Sequence, residues 1–270
     1  MRIGCCSNMN ASLPDGTGRE FIERIKEVGF DYVELPLAQI SALSDKDFSA
    51  LVSQVENADI PVEACNNCFP VNLRLTGDSV DKDAVEKYIK EGFKRVNELG
   101  SGIVVFGSGP AKNIPDGFPR SKGYSQIVAL LKRMSDEAGK YGITVVIEPL
   151  RKAECNVINT YKEGVLLSEE VKRENIRVLV DFYHLSVEKE DPEVLVKYPN
   201  HLRHAHFANP AIGTENERSF PKSIHDCDYA TFFECLGKSG YEGRISLEAY
   251  TKDFDVDAPR ALSVMRDLAR

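Results

Sequence analysis

The chain has 270 residues, 42% of them hydrophobic and 28% charged, which is a globular composition. Such a length exceeds the usual domain of roughly 100–200 residues but suits one α/β barrel of about 250. A formal net charge of −8 with no visible basic face argues against a nucleic-acid partner, and no apolar run nears the roughly 18 residues of a membrane span.

The N-terminus, Met1 to Cys6, turns polar too soon for a signal peptide, so a cytoplasmic protein is expected. Seven cysteines, an odd number in a chain of this size, read as reduced thiols. Cys65 and Cys68 have CxxC spacing, but no second pair accompanies them, and a strand end with its loop is the simpler reading.

Eight short β-rich runs follow in chain order: Arg2–Cys6, Tyr32–Leu35, Pro61–Cys65, Gly102–Phe106, Thr144–Glu148, Val178–Asp181, His201–Phe207 and Arg244–Glu248. Segments of helical periodicity separate them, such as Phe21, Ile22, Ile25 and Val28, or Val85, Ile89, Phe93 and Val96. Gly29, Gly100, Gly142 and Gly240 stand where helices should stop before the next strand. Alternation of this kind implies a parallel sheet, and eight units without a break predict a single (β/α)8 barrel over residues 1–270. An open doubly wound sheet fits less well, because no GxGxxG follows the first strand. The polar stretch from Asn209 to Asp228 reads as a functional loop.

Barrel enzymes carry their chemistry at the C-terminal ends of the strands. Strands five to eight end in Glu148, Asp181, His206 and Glu248, which aims four ionisable groups at one mouth. Three converging carboxylates would repel one another, and a divalent cation resolves that. Oxygen ligands plus one imidazole suit manganese first, with magnesium, cobalt or zinc as alternatives. His204 shares an inward face with His206, one layer deeper, and is expected to hydrogen-bond a ligand. Glu34 and Cys65 end strands two and three and are expected to line the pocket without chemistry.

The chain resembles the xylose isomerase-like barrel superfamily, within it the ketose 3-epimerase and hydroxypyruvate isomerase branch. The residues that carry the resemblance are Ile147-Glu148-Pro149-Leu150 with Glu154 and Asn159-Thr160, Asp181-Phe182-Tyr183-His184, His204-Ala205-His206, and Gly240 through Glu248. The resemblance implies a metal, Mn2+ first, held by Glu148, Asp181, His206 and Glu248, with the two glutamates also acting as acid and base on opposite faces of a sugar. It implies proton abstraction α to a carbonyl through an enediolate. His184, Glu154 and Cys65 would contact substrate. The partner is then a small sugar or sugar derivative, on a homodimer or homotetramer. One departure stands out: relatives place an arginine shortly after the metal histidine, whereas Phe207 to Gly213 has no basic residue. Arg218 is expected to take that role from an altered loop.

Other activities share the frame. A dehydratase or a C-glycoside-cleaving lyase would begin with the same proton abstraction, and product analysis separates these from an epimerase. An endonuclease of the related branch would need more than five histidines and a basic surface. A barrel that only binds sugar would not be expected to keep all four ligand positions. Gly107-Ser108-Gly109, after strand four, is a candidate anion-binding turn.

Overall fold

The computed structural model describes residues 1–215 and 217–270. Eight parallel strands close into a barrel in sequence order, β1 through β8 and back to β1. They are β1 (Arg2–Cys6), β2 (Tyr32–Pro36), β3 (Val62–Asn66), β4 (Ile103–Phe106), β5 (Thr144–Ile147), β6 (Ile176–Asp181), β7 (Leu202–Phe207) and β8 (Arg244–Leu247). The helices are α1 (Ile22–Val28), α2 (Leu37–Ala42), α3 (Asp45–Ala58), α4 (Lys82–Glu98), α5 (Gly109–Lys112), α6 (Arg120–Gly139), α7 (Tyr161–Val171), α8 (Phe182–Val187), α9 (Glu193–Lys197), α10 (Tyr229–Lys238) and α11 (Phe254–Leu268). Among the described residues no helix is long and apolar enough to cross a membrane.

Local chemistry sets the helix ends. Ser44 Oγ accepts the Asp47 N–H to start α3, and Thr160 with Glu163 forms a reciprocal capping box at α7. Gly29 closes α1 in the left-handed region at φ 99°, its N–H returning to Lys26 O at 2.9 Å. The other three predicted stops, Gly100, Gly142 and Gly240, also have positive φ.

Strand alternation divides the core in two. Cys5, Val33, Leu35, Cys65, Val104, Phe106, Val145, Ile147, Val178, Val180, Phe207 and Leu247 face outward into one large core shared with the helices. Ala64, Ile103, Val105, Val146 and Leu179 face inward and form a separate small cluster inside the barrel. Parallel strands buried on both faces explain the near-continuous apolar runs, such as Thr144-Val145-Val146-Ile147. The side chains at Glu148, Asp181, His206 and Glu248 continue the inward set at the C-terminal mouth.

That division corrects one expectation. Strand β3 ends at Asn66, so its inward positions are Ala64 and Asn66. Cys65 is fully buried in the outer core, paired in register with Val104. It does not line the barrel mouth, and its thiol is not placed to touch a substrate there.

Candidate metal centre

Each ligand candidate is held by its strand end and by a neighbour. Glu148 follows β5; its N–H donates to Phe106 O at 3.2 Å, and its carbonyl accepts from the fully buried Lys112 Nζ at 3.1 Å. Asp181 ends β6 and caps α8, its Oδ1 accepting the Tyr183 N–H at 2.7 Å. That leaves Oδ2 for the site. The next residue, Phe182, wedges against Phe207 and Phe232, with ring centroids 5.5 and 4.9 Å away, and so ties α8 to β7 and α10. Glu248 follows β8 and bonds Phe207 O through its N–H at 3.0 Å.

The ligating atoms of Glu148, Asp181, His206 and Glu248 all lie within 4.8 Å of one another. His206 Nδ1 is 2.9 Å from Glu248 Oε2 and 3.4 Å from Glu148 Oε1, yet it makes no hydrogen bond among the described residues. An orphaned imidazole nitrogen facing two carboxylates at the bottom of a buried mouth suits a divalent cation. The four residues therefore fit the metal that the sequence implied.

Arg218 enters the same cluster. Its Nη2 donates to Asp181 Oδ2 at 2.7 Å and makes a very short contact with Glu248 Oε2, while Nε donates to Glu248 O at 3.0 Å. The loop that delivers it is clipped at both sides. Asn209 and Ser219 exchange backbone hydrogen bonds of 2.8 and 3.0 Å, and the Tyr250 N–H donates to Arg218 O at 2.8 Å. Arg218 takes a left-handed φ of 57° between these clips, a conformation uncommon outside glycine. The backbone bends there, and the side chain turns into the mouth twelve residues after His206.

The charges are strongly perturbed. Burial, reinforced by Glu248 and Glu148, pushes Asp181 up to about 7 despite Arg218. Burial works in the same direction on Glu248, but Arg218 and His206 outweigh it and hold that carboxyl below its ordinary range. Burial and the adjacent Arg218 push His184 well below the usual histidine value, so its ring is neutral. His184 Nδ1 accepts the Arg151 N–H at 3.2 Å. With Nδ1 accepting from the backbone, its proton sits on Nε2, 3.6 Å from Asp181 Oδ2; Arg218 Nη1, 3.4 Å from that nitrogen, then touches it without donating to it.

Glu154 lies farther out, on the rim. It pairs with Arg151 at 2.6 Å, and Arg151 also reaches Glu217, which accepts from Tyr183 Oη at 3.0 Å. The expected bond from His204 to a ligand is not made. His204 Nε2 meets Glu34 Oε2 at 2.8 Å, and Glu34 Oε1 in turn meets His206 Nε2 at 3.0 Å. Glu34 is thus not a passive lining residue. Burial alone would raise its pKa, yet the two histidines hold it far below the carboxylate range.

Sequence reasoning also missed Asn66, whose Nδ2 donates to Glu248 Oε1 at 3.1 Å. Pairing of β3 with β2 and β4, not the local sequence, chooses it over Cys65. The glycines after β4 have a packing cause. A Cβ on Gly107 would fall 2.1 Å from Glu148 Oε2, and one on Gly109 would fall 2.5 Å from Glu154 O. Between them Ser108 Oγ accepts the Phe69 N–H at 2.9 Å.

Residues 22–268 match the family described as the xylose isomerase-like TIM barrel. The chain belongs to that family. Among curated relatives, a ketose 3-epimerase of Arthrobacter globiformis is 26% identical over 275 residues, covering 99% of this chain and 90% of that protein. A 3-dehydro-D-guloside 4-epimerase of Escherichia coli is also 26% identical, covering 92% of each. The fold matches a crystal structure of D-psicose 3-epimerase in the presence of D-fructose, with a TM-score of 0.81 and 19% identity, over 100% of this chain and 99% of that one. Within the family, these relatives support an enzyme of the isomerase class.

Proposed function

We propose that the protein is a divalent-metal-dependent sugar epimerase that inverts a carbon next to a ketone. The two curated relatives differ in the carbon named, but their chemistry is the same. In a 2-ketose, carbon 3 is adjacent to the carbonyl; in a 3-keto sugar, carbon 4 is. Either epimerisation removes a proton α to a carbonyl and returns one from the other face. The relatives favour this over dehydration or C-glycoside cleavage.

The observation that carries the proposal is the placement of Glu148 and Glu248 about the single nitrogen of His206, with Asp181 completing the set. A cation bound by these four, Mn2+ first among the candidates, would polarise the carbonyl and neutralise the enediolate charge. The protein supplies the rest. Glu248, held in its ionised form, is suited to take the proton. Glu148, on the adjoining side of His206, is suited to return one. His184 presents an Nε2–H to a substrate oxygen, and Arg218 presents fixed donors to another. Glu154 acts from the rim through Arg151.

The test is proton exchange in deuterated water, followed by NMR, with free ketoses and 3-keto glycosides as substrates. Metal-stripped, Mn2+-loaded and Glu248→Gln proteins are compared. Exchange that requires both the metal and Glu248 is the expected result, and the labelled carbon identifies the epimer formed. Exchange that persists in the stripped protein, or in Glu248→Gln, would refute the assignment.

A further inference from the structure

Beneath the ligand cluster lies a buried polar group whose hydrogen atoms can be placed one by one. Glu34 Oε1 is 3.0 Å from His206 Nε2, while Oε2 is 2.8 Å from His204 Nε2 and 2.5 Å from Ser246 Oγ. Tyr32 Oη lies 2.7 Å from the same Ser246 Oγ. All five side chains are inaccessible to solvent. Gly4 makes room for the group, since a Cβ there would overlap the Tyr32 ring.

An ionised carboxylate only accepts. Ser246 has one proton, and Glu34 takes it, so Tyr32 must donate to Ser246. Each imidazole likewise keeps a proton on the Nε2 that faces Glu34. The consequence falls on the opposite side of each ring. His204 Nδ1 and His206 Nδ1 make no hydrogen bond among the described residues, and His206 Nδ1 is the atom directed at Glu148 and Glu248.

We propose that Glu34 is a positioning residue: by accepting the Nε2 proton of His206 it sets the tautomer whose Nδ1 lone pair is offered to the metal. The inference rests on the metal centre proposed above. His204 holds the other carboxylate oxygen and keeps Glu34 from turning away. The carboxylate is essential to this arrangement because an amide cannot reproduce it. Glutamine has one acceptor oxygen and an NH2 that only donates. Opposite two Nε2–H groups, that NH2 would force one ring to move its proton to Nδ1. If the ring is His206, its ligand nitrogen is capped.

The test combines two readouts. Long-range 1H–15N correlation on histidine-labelled, Zn2+-loaded wild-type protein should place a proton on Nε2 of both His204 and His206, with Nδ1 of His206 bound to metal. Mn2+ affinity, read by EPR, should fall about 10–100-fold in Glu34→Gln and stay within about threefold in Ser246→Ala, which leaves both Nε2 contacts intact. A proton on Nδ1 of either ring, or metal bound through Nε2, overturns the inference from the wild-type protein alone, even if Glu34→Gln does not fold. Undiminished affinity in Glu34→Gln overturns it while leaving the metal centre standing. No Mn2+ binding by the wild-type protein overturns both.

Discussion

Gly107→Ala tests the metal centre without touching a ligand. The added methyl would lie 2.1 Å from Glu148 Oε2 and 3.2 Å from its Cδ. The carboxylate must retreat by about 1 Å to restore ordinary contact, and that retreat changes its distance from His206 Nδ1, now 3.4 Å from Oε1. Gly107 is not among the glycines with positive φ, so alanine is tolerated by the backbone and even stiffens the unfolded chain, by about 0.4–1 kcal/mol. Stability and ligation should therefore separate. The melting temperature of the metal-free variant should match or slightly exceed that of the wild type. Its Mn2+ affinity should fall about 10–100-fold, the usual result of misplacing a ligand or its support by about this much. Calorimetric titration of the stripped protein measures the affinity, and thermal denaturation measures the fold. Wild-type affinity in a folded Gly107→Ala protein would refute the placement of Glu148 in the metal site.

Arg218→Ala removes the cation that pairs Asp181 and Glu248; the metal-free protein should lose about 3–5 kcal/mol in urea denaturation, the cost of leaving buried charge unpaired, and added Mn2+ should recover much of it. His184 has a depressed folded pKa, so its contribution to stability is complete above about pH 6.5 and is lost as pH falls. The stability gap between wild type and His184→Gln should shrink as pH falls from about 6.5 towards 5; an unchanged gap would mean that the ring is not held neutral. Cys65→Ala should leave KM for the sugar unchanged and cost about 1 kcal/mol of stability, because the thiol lies in the outer core; a raised KM would return it to the pocket.

Eight strands and four candidate ligand positions could be read from the chain because both rest on short-range regularities. Short β-rich runs that end in an ionisable group recur at Glu148, Asp181, His206 and Glu248, and a barrel places every such end at the same mouth. The choice between Cys65 and Asn66 was beyond that logic. The run Pro61-Val62-Glu63-Ala64-Cys65-Asn66 allows two frames, and a shift of one residue turns every side chain to the other face. The frame is set by pairing with β2 and β4, which put Ala64 beside Glu34 and Cys65 beside Val104.

Glu34 and Arg218 mark the other limit. Their partners are far away in the chain: Glu34 meets His204 and His206 about 170 residues on, and Arg218 reaches Asp181 37 residues back. Local periodicity carries no information about such distances. Barrel closure brings β2 opposite β7, and the clips from Asn209 and Tyr250 turn an otherwise unremarkable polar loop so that its one buried guanidinium meets two carboxylates. Residue type and strand phase were enough to name four candidate ligands; the closed barrel and the clipped loop were needed to say which groups hold them in place.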